Sequence, residues 1–257
     1  MSARDTAAPL PASLLPQRST LGAVVPVATA LLAAVLLVMG VRMTSAGVAD
    51  YQTRAFLADW ESKAAPPSPR AWQVALDAAQ RASSHYPVAN GAYLERLGYV
   101  HAWQHFNTAF GAAQAQASRL AARDAYRAAI AARPTWPHAW AALAQVKLAL
   151  LELDDEFRQA LAQAQRFGPW RADINRRVAE TGFIAWAHLP GPQQDLVLLA
   201  ASHAIRQSAR DRARLFALAQ RASQREALCQ RLRQQGYTPK AADCAALSPT
   251  PARLRDK

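Results

Sequence analysis

His101 and His105 stand four residues apart, the spacing at which one helix face can offer two imidazoles to a zinc ion. The glutamate that would make such a pair catalytic is missing, because Ala102 and Trp103 follow His101, and no third ligand stands near. Asp154, Asp155 and Glu156 set three carboxylates side by side, the raw material of acid–base catalysis. They also open a helix, where negative side chains complement the positive end of the dipole, and that role accounts for them without further assumptions. The chain carries no glycine-rich phosphate loop, no serine elbow motif and no closely spaced cysteine pair. No catalytic residue, metal ligand or cofactor is expected, and the chain does not read as an enzyme.

Three other residue groups bear on binding or stability. Cys229 and Cys244 are the only cysteines. They are either two buried thiols or, in an extracytoplasmic domain, a disulfide contributing up to about 3 kcal/mol in the chain-entropy model. Arg206, Arg210, Arg212 and Arg214 make a candidate basic surface, with a solvated helix face as the plain alternative. On a domain facing away from the cytosol that surface would meet no nucleic acid, so anionic lipid head groups or an acidic polysaccharide are its fitting partners. Trp103, Trp136, Trp140, Trp170 and Trp186 fall in apolar patterns and are expected to pack between helices. Some of them could line a groove that stacks on sugar faces or grips a peptide.

The elements that must position these residues are helices. Between Arg133 and Trp170, Trp140, Leu143, Ala144 and Lys147 share one helix face, with Thr135 expected to cap the start and Pro137 in the first turn. Phe157, Leu161 and Ala164 form the stripe of a second helix that Gly168-Pro169 stops. A helix pair of this length, bounded by prolines, is the unit of a tetratricopeptide array. The first-helix spacing recurs in Leu94, Leu97, Gly98 and His101, and the second in Ala122, Tyr126, Ala129 and Pro134 and in Ala75, Ala79, Ala82 and Pro87. Gly98 and Ala144 are read as close-packing positions. Prolines 87, 134 and 169 stand 47 and 35 residues apart, so the first interval predicts lengthened helices around His101 to Ala117. No stretch alternates at period two, and no sheet is expected.

Along the whole chain the charge is uneven. Residues 201–257 hold 12 Lys+Arg against 4 Asp+Glu, a net of +8, whereas 44–200 hold 15 against 13. Residues 1–20 read as a disordered cytosolic tail. Leu21 to Val41 then runs 21 residues without a charge, closed by Arg42, and at about 1.5 Å per residue spans a bilayer core. Gly47-Val48-Ala49 resembles a signal-peptidase site, but such peptides have apolar cores of about 7–15 residues, so an uncleaved anchor at 21–42 is expected. Tyr51, Phe56, Leu57 and Trp60 suggest a juxtamembrane helix at the bilayer surface, and Ala65 to Pro69 a linker ending the segment 43–69. Residues 70–190 form the tetratricopeptide-like body. A break at Leu189 to Pro192 precedes a basic helical segment over 191–257. The expectation is an all-α, single-pass protein of a bacterial inner membrane, with a cytosolic N-terminus and a periplasmic body.

The stretches LERLGYVHAWQ (94–104), PTWPHAWAALAQVKLALLELDDEF (134–157) and FGPW (167–170) resemble the VpsP-type polysaccharide biosynthesis proteins. The resemblance is clearest over 70–190. It implies a non-catalytic, membrane-anchored accessory protein of exopolysaccharide and biofilm-matrix synthesis or export, working through contacts with other proteins of that complex. It transfers no catalytic residue. An anchored adaptor in another envelope process, such as secretion or cell-wall assembly, is the second reading, and a glycan-active enzyme the third.

Overall fold

The computed structural model describes residues 20–244, and all regular structure among them is helical. The expected tail before Thr20 and the last basic residues beyond Cys244 lie outside the described residues. Helix α1 runs unbroken from Thr20 to Lys63. Beyond Arg42 only Gly47 weakens the helix before Pro66, so the apolar span continues into the body without a joint. The span is exposed from Val24 to Thr44, long and apolar enough to cross a membrane. From Ala46 onward the same helix turns Ala46, Ala49, Thr53, Leu57 and Trp60 into the interior.

This corrects the expected juxtamembrane helix. Leu57 and Trp60 are buried because they stand at helical spacing facing α2 (Pro69–His85), not a lipid surface. Ala65 to Pro69 is likewise a turn within a helix hairpin and not a linker between domains. Ala64 takes a left-handed φ of 48°, Ser68 Oγ accepts from the Ala71 N–H at 3.3 Å, and Pro69 fills the first helical position.

Hairpins follow one another. α3 (Gly91–Trp103) packs on α4 (Ala113–Ala132), α5 (Pro137–Leu150) on α6 (Asp155–Phe167), and α7 (Ala172–Ile184) on α8 (Gly191–Gln207). α9 (Ala209–Arg221), α10 (Arg225–Gln234) and the short α11 (Ala241–Cys244) close the far end. The break near Pro190 is no domain edge. Gly182 in α7 lies against Val197 of α8 with no room for a Cβ, and one apolar core runs from Ala122 to Leu232. A second, smaller core joins Leu57, Trp60, Ala75, Leu76, Ala79, Val100 and Trp103, and Tyr99 packs against both.

The packing residues fall as follows. Gly98 sits on the Tyr126 ring, and Ala129, Leu143 and Ala144 are buried, while Leu97 and Trp140 are half-buried. α5 starts at Pro137, and its cap is Trp136 without a side-chain bond, so Thr135 does not cap it. Asp154 does cap α6, accepting from the Phe157 N–H at 3.0 Å. The extra length between prolines 87 and 134 goes into a 20-residue α4 and a non-helical connection before it, because Asn107, Thr108 and Gly111 favour turns over helix.

Candidate binding groove

That connection, residues 104–112, forms one wall of a cleft of about 410 Å³ whose other walls come from α5, α7 and α9. Arg119 of α4 holds it in place. Its guanidinium donates to the carbonyls of Thr108 at 2.6 Å, Ala109 at 2.9 Å and Ala149 at 2.9 Å, binding the connection to the end of α5. Gly111 takes φ +71° and donates its N–H to Ala149 O at 2.9 Å, a conformation a side chain would strain. The result is an aromatic wall. Phe106 stacks on Trp103 with ring centroids 4.3 Å apart, Trp103 meets Trp60 behind it, and Phe106 and Phe110 stay about half exposed at 48%.

Tyr99 and Tyr126 form the floor, edge to face at 5.5 Å. Burial pushes the Tyr99 hydroxyl up to about 12 and Tyr126 well above its ordinary value, so both phenols stay neutral donors at physiological pH. Arg177 donates to Tyr99 Oη at 2.9 Å and to Gln145 Oε1 at 3.4 Å. One turn further along α7, Glu180 is buried between Arg176 at 3.5 Å and Arg214 at 2.9 Å. The Arg214 Nε–H points off the line to Glu180 Oε1, so that contact is an ion pair and not a hydrogen bond, and Oε1 keeps an unused acceptor. The groove therefore offers exposed aromatic faces, three guanidiniums gathered along α7 (its own Arg176 and Arg177, and Arg214 of α9) and the carboxylates of Glu61 and the buried Glu180.

The sequence-derived candidates map unevenly onto this site. His105 lines the groove, but α3 ends at Trp103, so the two histidines do not share a helix face, and His101 meets the edge of Trp72 instead. Among the described residues no group of three His, Cys, Asp or Glu is placed to hold a metal. Arg206 belongs to α8, whereas Arg210, Arg212 and Arg214 belong to α9, where Arg210 and Arg214 share a face. Arg214 turns to the groove and Arg212, two residues before it on α9, lies over Tyr237 at 6.0 Å on another side, while Arg206 of α8 reaches Gln235 at 3.5 Å. Cys229 and Cys244 are bonded, joining α10 to α11, with Cα atoms 6.0 Å apart. Trp103 is buried and Trp136, Trp140 and Trp186 are partly so. Trp170, in contrast, is 78% exposed and stacks on His203, since it follows the helix stop at Gly168-Pro169.

Asp154 and Glu156 are not simply solvated. They converge with Glu152 on Lys147, whose Nζ lies 2.9, 2.7 and 3.1 Å from Asp154, Glu156 and Glu152 while its side chain is 1% exposed. Arg127 forks onto both oxygens of Glu156 at 2.8 and 2.6 Å, and Arg123 holds Glu152 at 2.6 Å. Asp155 points outward to Arg158. A lysine on the core face of α5 was the sequence signal that carboxylates must come to meet it. The groove had a fainter signal, Phe106 and Phe110 in a turn-rich stretch and Arg176-Arg177 four and three residues before Glu180.

Comparison with known proteins brings no relative to this geometry: no protein-family model, no curated protein and no solved structure matches the chain.

Proposed function

We propose that the chain is a membrane-anchored contact protein that docks an acidic segment of a partner protein in its aromatic–arginine groove. One observation carries this reading. The groove lies beside Trp60, about 27 Å along the unbroken α1 from Arg42, so the anchor holds a recognition surface at a fixed distance from the span. Arg177 and Arg214 suit carboxylates, and Phe106 and Phe110 suit an apolar flank. The groove binds and does not catalyse.

In this reading α1 is an uncleaved bitopic anchor with a cytosolic N-terminus and a periplasmic body. Burial of Ala46 and Ala49 supports retention of the span, since cleavage after Ala49 would strip a packed edge. The Cys229–Cys244 bond supports an oxidising compartment. We read the tandem hairpins from α1 to α8 as tetratricopeptide-like repeats. The resemblance of residues 94–104, 134–157 and 167–170 to the VpsP-type proteins supports a non-catalytic role in exopolysaccharide synthesis or export, with an anchored adaptor in secretion or cell-wall assembly as the alternative.

Deleting the gene should lower exopolysaccharide output while isolated membranes still transfer sugars to lipid acceptor. A photo-crosslinking residue at Phe106 should capture a protein of the synthesis or export complex, and one at Asp155 should not. Normal polymer output in the deletion would remove the process assignment. Crosslinks from 106 to glycan and not protein would replace the peptide with an acidic polysaccharide. A C-terminal alkaline phosphatase fusion should be active, and an inactive fusion would reverse the orientation.

A further inference from the structure

The body has a base, and its level is fixed by hydrogen bonds. Arg42 is the first charge after the apolar span, and its guanidinium donates to the carbonyls of Ser84 at 3.0 Å and His85 at 3.2 Å. Ser45 Oγ lies 2.9 Å from His85 Nδ1. The C-terminus of α2 and the turn His85–Asn90 are thus tied to α1 where the span stops. No spacer separates body from bilayer, and the headgroup layer of each leaflet is only roughly 5–8 Å deep.

Two features at this level face outward. Val88, at the tip of the turn, is 66% exposed, beside Tyr86, which packs edge-on against Tyr93 at 5.4 Å. Tyrosine with an apolar neighbour is the composition of a membrane–water boundary. Next to the turn, α1 and α2 enclose an open notch of about 710 Å³. Its lining changes character along α1 at the level of Arg42. Leu36, Leu37 and Val41 make the span side, and beyond it the lining is mixed, with Val48 and Ala49 beside Thr44, Gln52 and the α2 residue Arg81. Arg81 is exposed and makes no ion pair among the described residues, and Gly40 leaves open space where a side chain would stand. Polar groups enter the lining only past Arg42, so an acyl chain would meet the wholly apolar end and a glycerol backbone and phosphate the hydroxyl, amide and guanidinium.

We infer that the turn 85–90 rests in the headgroup layer and that the notch seats a bilayer phospholipid, its acyl chain along Leu36 to Val41 and its phosphate on Arg81. This rests on the reading of α1 as a membrane span, and the test separates the two. In full-length protein in nanodiscs of phosphatidylethanolamine and phosphatidylglycerol, with the native disulfide intact, spin labels at Val27→Cys, Val88→Cys and Asp155→Cys report depth by oxygen against nickel-chelate accessibility. The label at 27 should read as hydrocarbon, the one at 155 as water, and the one at 88 between them. A label at 27 as wet as that at 155 would remove the span and the base together. A label at 27 in lipid with 88 as wet as 155 would leave the span and overturn the base. Native mass spectrometry of the same protein released from nanodiscs should show at least a several-fold loss of retained phospholipid in Arg81→Gln and near-full retention in Arg81→Lys. Equal retention in Arg81→Gln and the unaltered protein would overturn the phosphate seat.

Discussion

Two charged networks lie on opposite sides of α5, and they differ in completeness. Around Lys147 every ammonium proton has a carboxylate partner, and two of those carboxylates are also held by Arg127 and Arg123. Around Glu180 one oxygen lacks an aligned donor, Arg214 is 69% exposed, and aromatic faces stay open. The Lys147 ammonium has no donor left for a ligand, and its bonds fix the α5–α6 hairpin. An unsaturated network beside a cavity has groups that only a ligand would complete.

The largest expected effect comes from breaking the closed network. Lys147→Met keeps the apolar stem but leaves three carboxylates facing each other without a cation. Because those carboxylates are partly solvated, the loss should be about 2–4 kcal/mol, below or within the range for a fully buried pair. In detergent, the melting temperature followed by circular dichroism should fall by roughly 5–12 °C. A fall below about 2 °C would show that water already screens the cluster.

Next in size is a substitution under the open network. A methyl at residue 98 would fall within the Tyr126 ring, so Gly98→Ala should cost about 1–3 kcal/mol and push the groove floor outward. Ala144→Leu, at a position with no exposure, should cost a similar amount without touching the floor. If Gly98→Ala melted with the unaltered protein, the close approach of α3 to α4 would be wrong.

How much of this was legible follows from range. The apolar span, the helical stripe Phe157–Leu161–Ala164, the acidic helix start at Asp154 to Glu156 and the small residues Gly98 and Ala144 depend on neighbours within a turn or on one face, and spacing reveals them. The groove does not. Phe106, Arg119, Arg177 and Arg214 come from four separate stretches, and Arg119 acts on carbonyls 10, 11 and 30 residues away. Prolines misled in the other direction. Ala65 to Pro69 and the break near Pro190 have the composition of linkers, but whether a turn separates domains depends on what the flanking helices bury.

An acid titration gives a smaller effect with a defined sign. The Arg127 fork, and then Lys147 against the opposing pull of burial, holds the Glu156 carboxyl down from 4.5 to about 2. A carboxyl lowered by folding stabilises above its unfolded value, and that stability is lost as pH falls through the folded value. The protein should therefore weaken between about pH 4.5 and pH 2, with Glu156 contributing roughly 1–2 kcal/mol after solvent screening. Glu156→Gln should be less stable at neutral pH and should show a flatter decline in that window. Parallel declines in both proteins would mean that Glu156 is not the titrating group.

The smallest effect on stability should be the most informative about function. Arg214 projects into solvent and the buried Glu180 keeps Arg176 at 3.5 Å, so Arg214→Gln should cost at most about 1 kcal/mol and melt within roughly 4 °C of the unaltered protein. Its loss still removes a guanidinium from the groove lining, leaving Glu180 facing the cleft with less compensation. A carboxylate-bearing segment would then lose a donor and meet repulsion, and crosslinking from residue 106 should fall several-fold at unchanged protein level. Lys147→Met, grown at a temperature where it stays folded, should keep that crosslink despite its larger loss of stability. The crossed result would assign the recognition to the α5–α6 side: capture kept in Arg214→Gln and lost in folded Lys147→Met. It would mean that saturation of a charge network is no guide to where this protein binds.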